Sequence, residues 1–260
     1  MTILARNPLV SYCSELAPLR DRDKRPPPPL EYAEHTLRTL AILARRYEPI
    51  RDRAKANPVW LDADGAERAE ALQEAITAWE REETPPSLRG HRLLRLEYAA
   101  IMDGVDVRAL NDWWARIQTR YPQRYDFNDL ERDPALAETF QRHVREEVAW
   151  RQSNIAYQRL RSVLHALRDA QDAGAPVILY VDHLHRLLGG GDKDYPVDLA
   201  TELKPLLSRC QIHLWGACTL TEYRATIERD ASMQRRFQEV YLPCVRAREH
   251  NATEFLPSEA

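Results

Sequence analysis

The residues with the clearest chemical potential lie between positions 177 and 238. Val177-Ile-Leu-Tyr-Val-Asp182 is a short apolar run ending in an acid, the pattern of a buried parallel strand that delivers a carboxylate to the carboxyl edge of a sheet. The next residue is His183. His183 and His185 make an H-x-H pair, but on a strand end the spacing offers no third metal ligand. Thr219 and Glu222 have the S/T-x-x-E spacing of a capping box, so a helix should begin there. Arg235-Arg236 is a basic pair just before Phe237; a solvated helix end would explain it.

These residues must be positioned by alternating strands and helices. Apolar side chains at helical spacing predict an amphipathic helix over 32–47. A strand follows at 58–61, a turn at Asp62-Ala-Asp-Gly65, and a helix over 66–81 with Ala69, Leu72, Ile76 and Trp79 on one face. A second strand fits 92–98. The rhythm then breaks at 104–154, where two or three helices carry Trp113, Trp114, Tyr121, Tyr125, Phe127, Phe140 and Trp150. Further elements are a helix over 155–173, the Val177 strand, a helix over 196–208, a strand over 211–216, a helix over 219–229 and a strand over 239–242. The fold class expected is α/β, a parallel sheet with helices on both faces and a helical insertion at 104–154.

Residues 1–30 read as a tail with the charged run Arg20-Asp-Arg-Asp-Lys-Arg25 and a polyproline spacer at Pro26 to Pro29. Residues 31–245 form the α/β domain, and 246–260 a second tail. A formal charge of −3 gives no electrostatic argument for nucleic acid or membrane. Neither a transmembrane span nor a secretory signal is visible, so the expected location is the cytoplasm. Cys13, Cys210, Cys218 and Cys244 form no C-x-x-C pair and suggest reduced thiols. Only 8 of 260 residues are glycine, well under the average of about 7%, and phosphate-cradling loops are made of glycine.

Several separate stretches in register resemble one family. They are Asn57-Pro-Val-Trp-Leu, Pro85-Pro-Ser-Leu-Arg-Gly-His-Arg-Leu-Leu94, Val177-Ile-Leu-Tyr-Val-Asp-His-Leu-His-Arg-Leu-Leu-Gly-Gly-Gly191, Leu203-Lys-Pro-Leu-Leu, Trp215-Gly-Ala-Cys-Thr-Leu-Thr-Glu-Tyr-Arg224, Ile227-Glu-Arg-Asp-Ala231 and Gln234-Arg-Arg-Phe-Gln238. Together they closely resemble the first AAA+ module of Clp/heat-shock-type unfoldases, the ClpB- and ClpV-like ATPases. The resemblance implies a P-loop NTPase fold (the AAA+ large subdomain) and covers residues 57–242 apart from the insert. It also implies a phosphate loop G-x-x-x-x-G-K-[ST] after the first strand, with Lys on the phosphates and Ser/Thr on Mg²⁺.

The departures from the family pattern fall on its chemistry. The aligned octet is Asp62-Ala-Asp-Gly-Ala-Glu-Arg-Ala69. Asp62 and Glu67 replace the two glycines, Arg68 the lysine and Ala69 the magnesium ligand, leaving Gly65 and Arg68 as the residues that could still meet a nucleotide and Asp182 as the Mg²⁺ ligand. An ordinary strand-to-helix turn capped by Asp64 explains the octet equally well. His183 takes the place of the water-orienting glutamate. His185 stands where the family commonly has His, which favours a structural role. Thr219, or its neighbour Cys218, falls at the sensor position. Arg235 and Arg236 align with arginine fingers that reach a neighbouring subunit's site. The pore-loop place holds the aromatic insert, with Tyr157 just beyond it, and the stretch after Phe237 is too short for the family's helical lid.

The expectation is a degenerate, non-hydrolysing AAA+ protein serving as adaptor, regulator or scaffold, with a protein partner such as an active Clp-type ATPase or a component of type VI secretion. One rival is a genuine ATP-binding or weakly hydrolysing protein that takes Mg·ATP as cofactor. A third reading is a stand-alone interaction protein whose insert binds partners through Trp113, Trp114 and Trp150; the alternative fate of those tryptophans is a small helical core.

Overall fold

The computed structural model describes residues 7–16, 32–48, 55–62, 65, 67–80, 84–121, 125–188 and 197–243. Strands β1 (Cys13–Glu15), β2 (Asn57–Asp62), β3 (Arg92–Leu96), β4 (Val177–Val181), β5 (His213–Thr219) and β6 (Phe237–Tyr241) form one sheet in the order β1-β3-β4-β5-β2-β6. All neighbours run parallel except β1, which pairs antiparallel with β3.

Side-chain alternation along the strands feeds two cores. Val59 and Leu61 of β2, Val177, Leu179 and Val181 of β4, and Leu214 and Cys218 of β5 face one side. There they meet α8 (Ile155–Asp172) and α9 (Ala200–Ser208). Trp60, Ile178, Tyr180, Trp215 and Ala217 face the other side, against α2 (Ala33–Ala44) and α3 (Arg68–Glu80). Trp60 and Trp215 meet edge-on at 4.7 Å between ring centroids, and Tyr180 meets Trp215 at 5.3 Å. Such pairs add about 0.5–1.5 kcal/mol each beyond the area they bury. Trp60 Nε1 donates to Thr39 Oγ1 at 2.8 Å, so its polar edge is satisfied inside the core.

Three local expectations change, and the helical character of 104–154 does not. Within the expected N-terminal tail, Pro8–Tyr12 forms helix α1, Leu9 is buried, and β1 covers the free edge of β3; pairing removes an exposed row of backbone donors and acceptors. The second strand stops at Leu96 and turns into α4 (Tyr98–Met102), because Ile101 is buried in the core beside α8. The 104–154 segment contains α5 (Val107–Arg120), α6 (Phe127–Arg132) and α7 (Pro134–Ser153), each opened by an aspartate cap. The helix predicted over 219–229 stops early as α10 (Leu220–Ala225), and a separate turn, α11 (Ala231–Gln234), follows it, started by Asp230, which accepts from the Ser232 and Met233 N–H groups. Residues 17–30 with the polyproline spacer, the cap Asp64 and the tail 246–260 lie outside the described residues. No helix among the described residues is long and apolar enough to cross a membrane.

Candidate functional site at the carboxyl edge of the sheet

Parallel sheets present the carboxyl ends of their strands to ligands. Here β2 ends at Asp62, β4 is followed by Asp182, and β5 ends at Thr219, which pairs in register with Asp62. Arg68, the first residue of α3, is buried between the two acids. Its Nε donates to Asp62 Oδ2 at 2.7 Å and its Nη1 to Asp182 Oδ1 at 2.5 Å. The side chains of Arg68 and Asp62 are only 6% and 1% exposed, against 24% for Asp182. The Asp182 Oδ1 atom also accepts from His183 N at 2.9 Å.

Burial pushes the Asp62 carboxyl above its ordinary range, and the neighbouring guanidinium only partly offsets this. Burial alone would loosen the proton on Arg68, but Asp182 and Asp62 outweigh it and hold the guanidinium charged. Asp62 Oδ1 and Glu67 Oε2 are buried with no hydrogen-bond partner among the described residues. Gly65 folds over the cluster at φ +90°, and a Cβ there would stand 2.5 Å from Arg68 Nη2. Both the turn conformation and the close approach therefore need glycine.

Beyond Asp182 the backbone enters the left-handed region at His183, φ 49°, which is costly for a non-glycine residue. Leu184 then crosses β5 at Gly216, where a Cβ would lie 2.5 Å from Leu184 Cδ2. This crossing carries His183 and His185 to the start of α10. The capping box read from the sequence is present: Glu222 N donates to Thr219 Oγ1 at 3.2 Å, and Thr219 N donates to Glu222 Oε2 at 2.8 Å. Burial raises the Glu222 carboxyl, but the Thr219 N–H and His185 outweigh it and hold it below the ordinary carboxylate range. His183 Nδ1 lies 3.8 Å from Glu222 Oε1, and His185 Nδ1 3.3 Å from Oε2. Tertiary structure thus supplies the third donor that spacing alone lacks. Cys218 is buried, which pushes its thiol up and away from thiolate chemistry.

Gly65, Arg68, Asp182, His183 and Thr219 are thus brought to one edge. Arg235 and Arg236 precede β6 at the opposite, amino edge, beside Asn57, whose Nδ2 donates to the Arg236 carbonyl at 3.2 Å. At about 3.3 Å per residue, β2 separates the two edges by about 16 Å. Arg235 is exposed and Arg236 half-buried. Within one chain the pair does not belong to the Asp62–Arg68–Asp182 cluster.

The tryptophans are not one surface. Trp150 is 2% exposed and packs with Leu110, Ile117 and Tyr121, and its Nε1 donates to Leu110 O at 3.1 Å. Of the two fates open to it, partner contact or small helical core, Trp150 takes the core. Trp114 lies against it at 4.6 Å between rings, and Trp113 is half-buried at the edge of the same cluster. The exposed apolar residues of this region are Phe127, Val144, Val148 and, just after the insert, Ile155; only a fixed helix orientation reveals them. Tyr157 is buried and donates to Glu202 Oε1 at 3.0 Å.

No family model matches the chain. It is similar to heat shock protein 100 of Trypanosoma brucei brucei, 27% identical over 90% of this chain and 20% of that protein. It is also similar to the chaperone protein ClpB of Chlamydia pneumoniae, 26% identical over 90% of this chain and 21% of that protein. The chain spans about one fifth of the length of these relatives. Two solved structures share its fold. One is a closed-state reconstruction of Hsp104 with ATPyS and FITC casein, TM-score 0.58, 23% identity, over 96% of this chain and 34% of that one. The other is an S. cerevisiae Hsp104–ADP complex, TM-score 0.56, 22% identity, over 96% and 33%. The fold is thus that of an α/β P-loop NTPase, and the chain is homologous to a ClpB-like AAA+ module.

Proposed function

We propose that this chain is a non-hydrolysing AAA+ module that acts as an adaptor, regulator or scaffold for a protein partner, with an active Clp-type ATPase the favoured partner. The observation that carries the reading is the position of Arg68. Its guanidinium joins Asp62 to Asp182, so the carboxylate that would hold Mg²⁺ is already neutralised by a cation from its own chain. The rest of the loop fits Mg·ATP no better. Asp62 and Glu67 are buried acids where phosphate charge would go, and Ala69 has no hydroxyl for the metal. A Cβ on Gly65 would stand 2.5 Å from Arg68 Nη2, so the guanidinium already fills the space beside this glycine. Two carboxylates and one guanidinium leave the trio net negative when both acids are ionised, so it has no spare positive charge for a phosphate.

Protein partners fit the Hsp100 and ClpB relatives, and the resemblance over Pro85 to Leu94 makes type VI secretion one setting. The free thiols of Cys13, Cys210 and Cys218 suit the cytoplasm. Equilibrium binding of a fluorescent ATP analogue with Mg²⁺ tests the core of the proposal. No binding at millimolar nucleotide is expected; tight binding that disappears in Asp182→Ala would overturn it in favour of a working nucleotide site. The exposed position of Arg235 favours a finger acting on a neighbour. Arg235→Ala with Arg236→Ala should lower turnover of a Clp-type ATPase co-assembled with this chain, because such fingers contribute roughly 10³–10⁵ in rate in related NTPases. Unchanged turnover in the mixed assembly would remove the finger role.

A further inference from the structure

His183, His185 and Glu222 converge from two elements that the chain separates widely. The two histidines bracket Leu184 at the start of the 3₁₀ turn Leu184–Leu187, and Glu222 lies in the first turn of α10. One ligand atom from each residue lies within 4.8 Å of the others. His183 Nδ1 stands 3.8 Å from Glu222 Oε1, and His185 Nδ1 3.3 Å from Glu222 Oε2. Around a tetrahedral ion with bonds of about 2.0–2.1 Å, neighbouring donors stand about 3.4 Å apart. Each of these nitrogen–oxygen distances is within half an ångström of that spacing.

We propose that His183, His185 and Glu222 form a binding site for a zinc-type divalent transition-metal ion, with a fourth position open to water or to a donor from a partner. Two imidazole nitrogens and one carboxylate oxygen suit Zn²⁺ and its neighbours; Mg²⁺ takes a shell of oxygens. Glu222 and the backbone of His183 are held by further contacts, as metal ligands commonly are. Thr219 N fixes Glu222 through Oε2. His183 is fixed at both backbone ends, its N–H on Asp182 Oδ1 and its carbonyl accepting from Tyr98 OH at 3.2 Å. Its Nδ1 is buried with no hydrogen bond among the described residues. Side-chain exposures of 34%, 12% and 29% for His183, His185 and Glu222 leave a path for an ion. The site is separate from the Arg68 cluster and does not depend on whether nucleotide binds.

The test is titration of the full chain with Zn²⁺ by equilibrium dialysis, with Co²⁺ as a spectroscopic substitute. One equivalent should bind, and Co²⁺ should show the visible absorption of a low-coordinate nitrogen and oxygen site. His183→Asn keeps a residue that tolerates the left-handed backbone. Glu222→Gln keeps an acceptor for Thr219 N. Each should weaken Zn²⁺ binding by about 100-fold or more and abolish the Co²⁺ band, with the metal-free unfolding midpoint retained. Absence of a stoichiometric site in the wild type overturns the proposal. So does equal binding by wild type and both variants, which would place the metal on other histidines or cysteines.

Discussion

Two polar clusters sit side by side at the end of β4, and they are built in opposite ways. Asp62, Arg68 and Asp182 form a closed cluster in which a buried cation sits between two carboxylates. His183, His185 and Glu222 form an open one, half-exposed, with nitrogen and oxygen donors facing a common centre. They meet at the peptide between Asp182 and His183. The contrast shows that neighbouring polar clusters at one sheet edge can differ in whether a cation is built in: Arg68 sits between the acids of the first, and the second has no arginine or lysine among its members.

The contrast is broken most directly by removing one member from each cluster. Arg68→Ala leaves two carboxylates without their counter-ion, and Asp62 is almost fully buried; breaking such a pair costs about 3–5 kcal/mol. His183→Asn removes no buried charge and relieves a left-handed backbone worth roughly 1–2 kcal/mol in a poorly suited residue. Its stability should stay within about 1 kcal/mol of wild type. Denaturant unfolding of both variants decides the point: equal losses would mean that the open cluster is as structural as the closed one.

Acid should act at a third cluster, on the amino edge. His213 is buried at the start of β5, its Nε2–H donating to Ala56 O at 3.3 Å, with His91, Tyr47 and Arg46 around it. Burial holds His213 well below 6.5, assisted by Arg46 and His91, and burial also lowers His91. The unfolded chain therefore takes up these protons first. Stability is unaffected above the unfolded value near 6.5 and is lost as pH falls from there toward the folded values. The slope reaches about 1.4 kcal/mol per pH unit for each histidine. Unfolding midpoints between pH 7 and 5 should show this loss, reduced by one proton's share in His213→Phe; an unchanged slope would mean that His213 is not the group responsible.

Much of the carboxyl edge was legible residue by residue. The run ending in Asp182 is apolar because both faces of β4 are buried, so its strand and the acid at its end could be read directly. The Thr219 and Glu222 pair is a local device with fixed spacing, and it forms as read. The insert was harder. Aromatic content locates a helical segment, but whether Trp150 lies inside or outside depends on how α5 and α7 pack, and packing buries it against Leu110. The N-terminal strand was missed because three residues on a sheet edge carry no periodic signal of their own.

What the sequence determined by itself follows from local rules: periodicity sets the elements, glycine and aspartate set turns and caps, and the acids and the arginine of the 62–69 octet are visible in one dimension. Only tertiary structure decided which charges meet. Arg68 reaches Asp182 because β2 and β4 flank β5 in the sheet. Glu222 meets the two histidines because Gly216 lets the chain after β4 cross close over β5. Long-range polar contacts depend on strand order and on backbone spacings of a few ångströms, and neither is encoded in the spacing of residues along the chain.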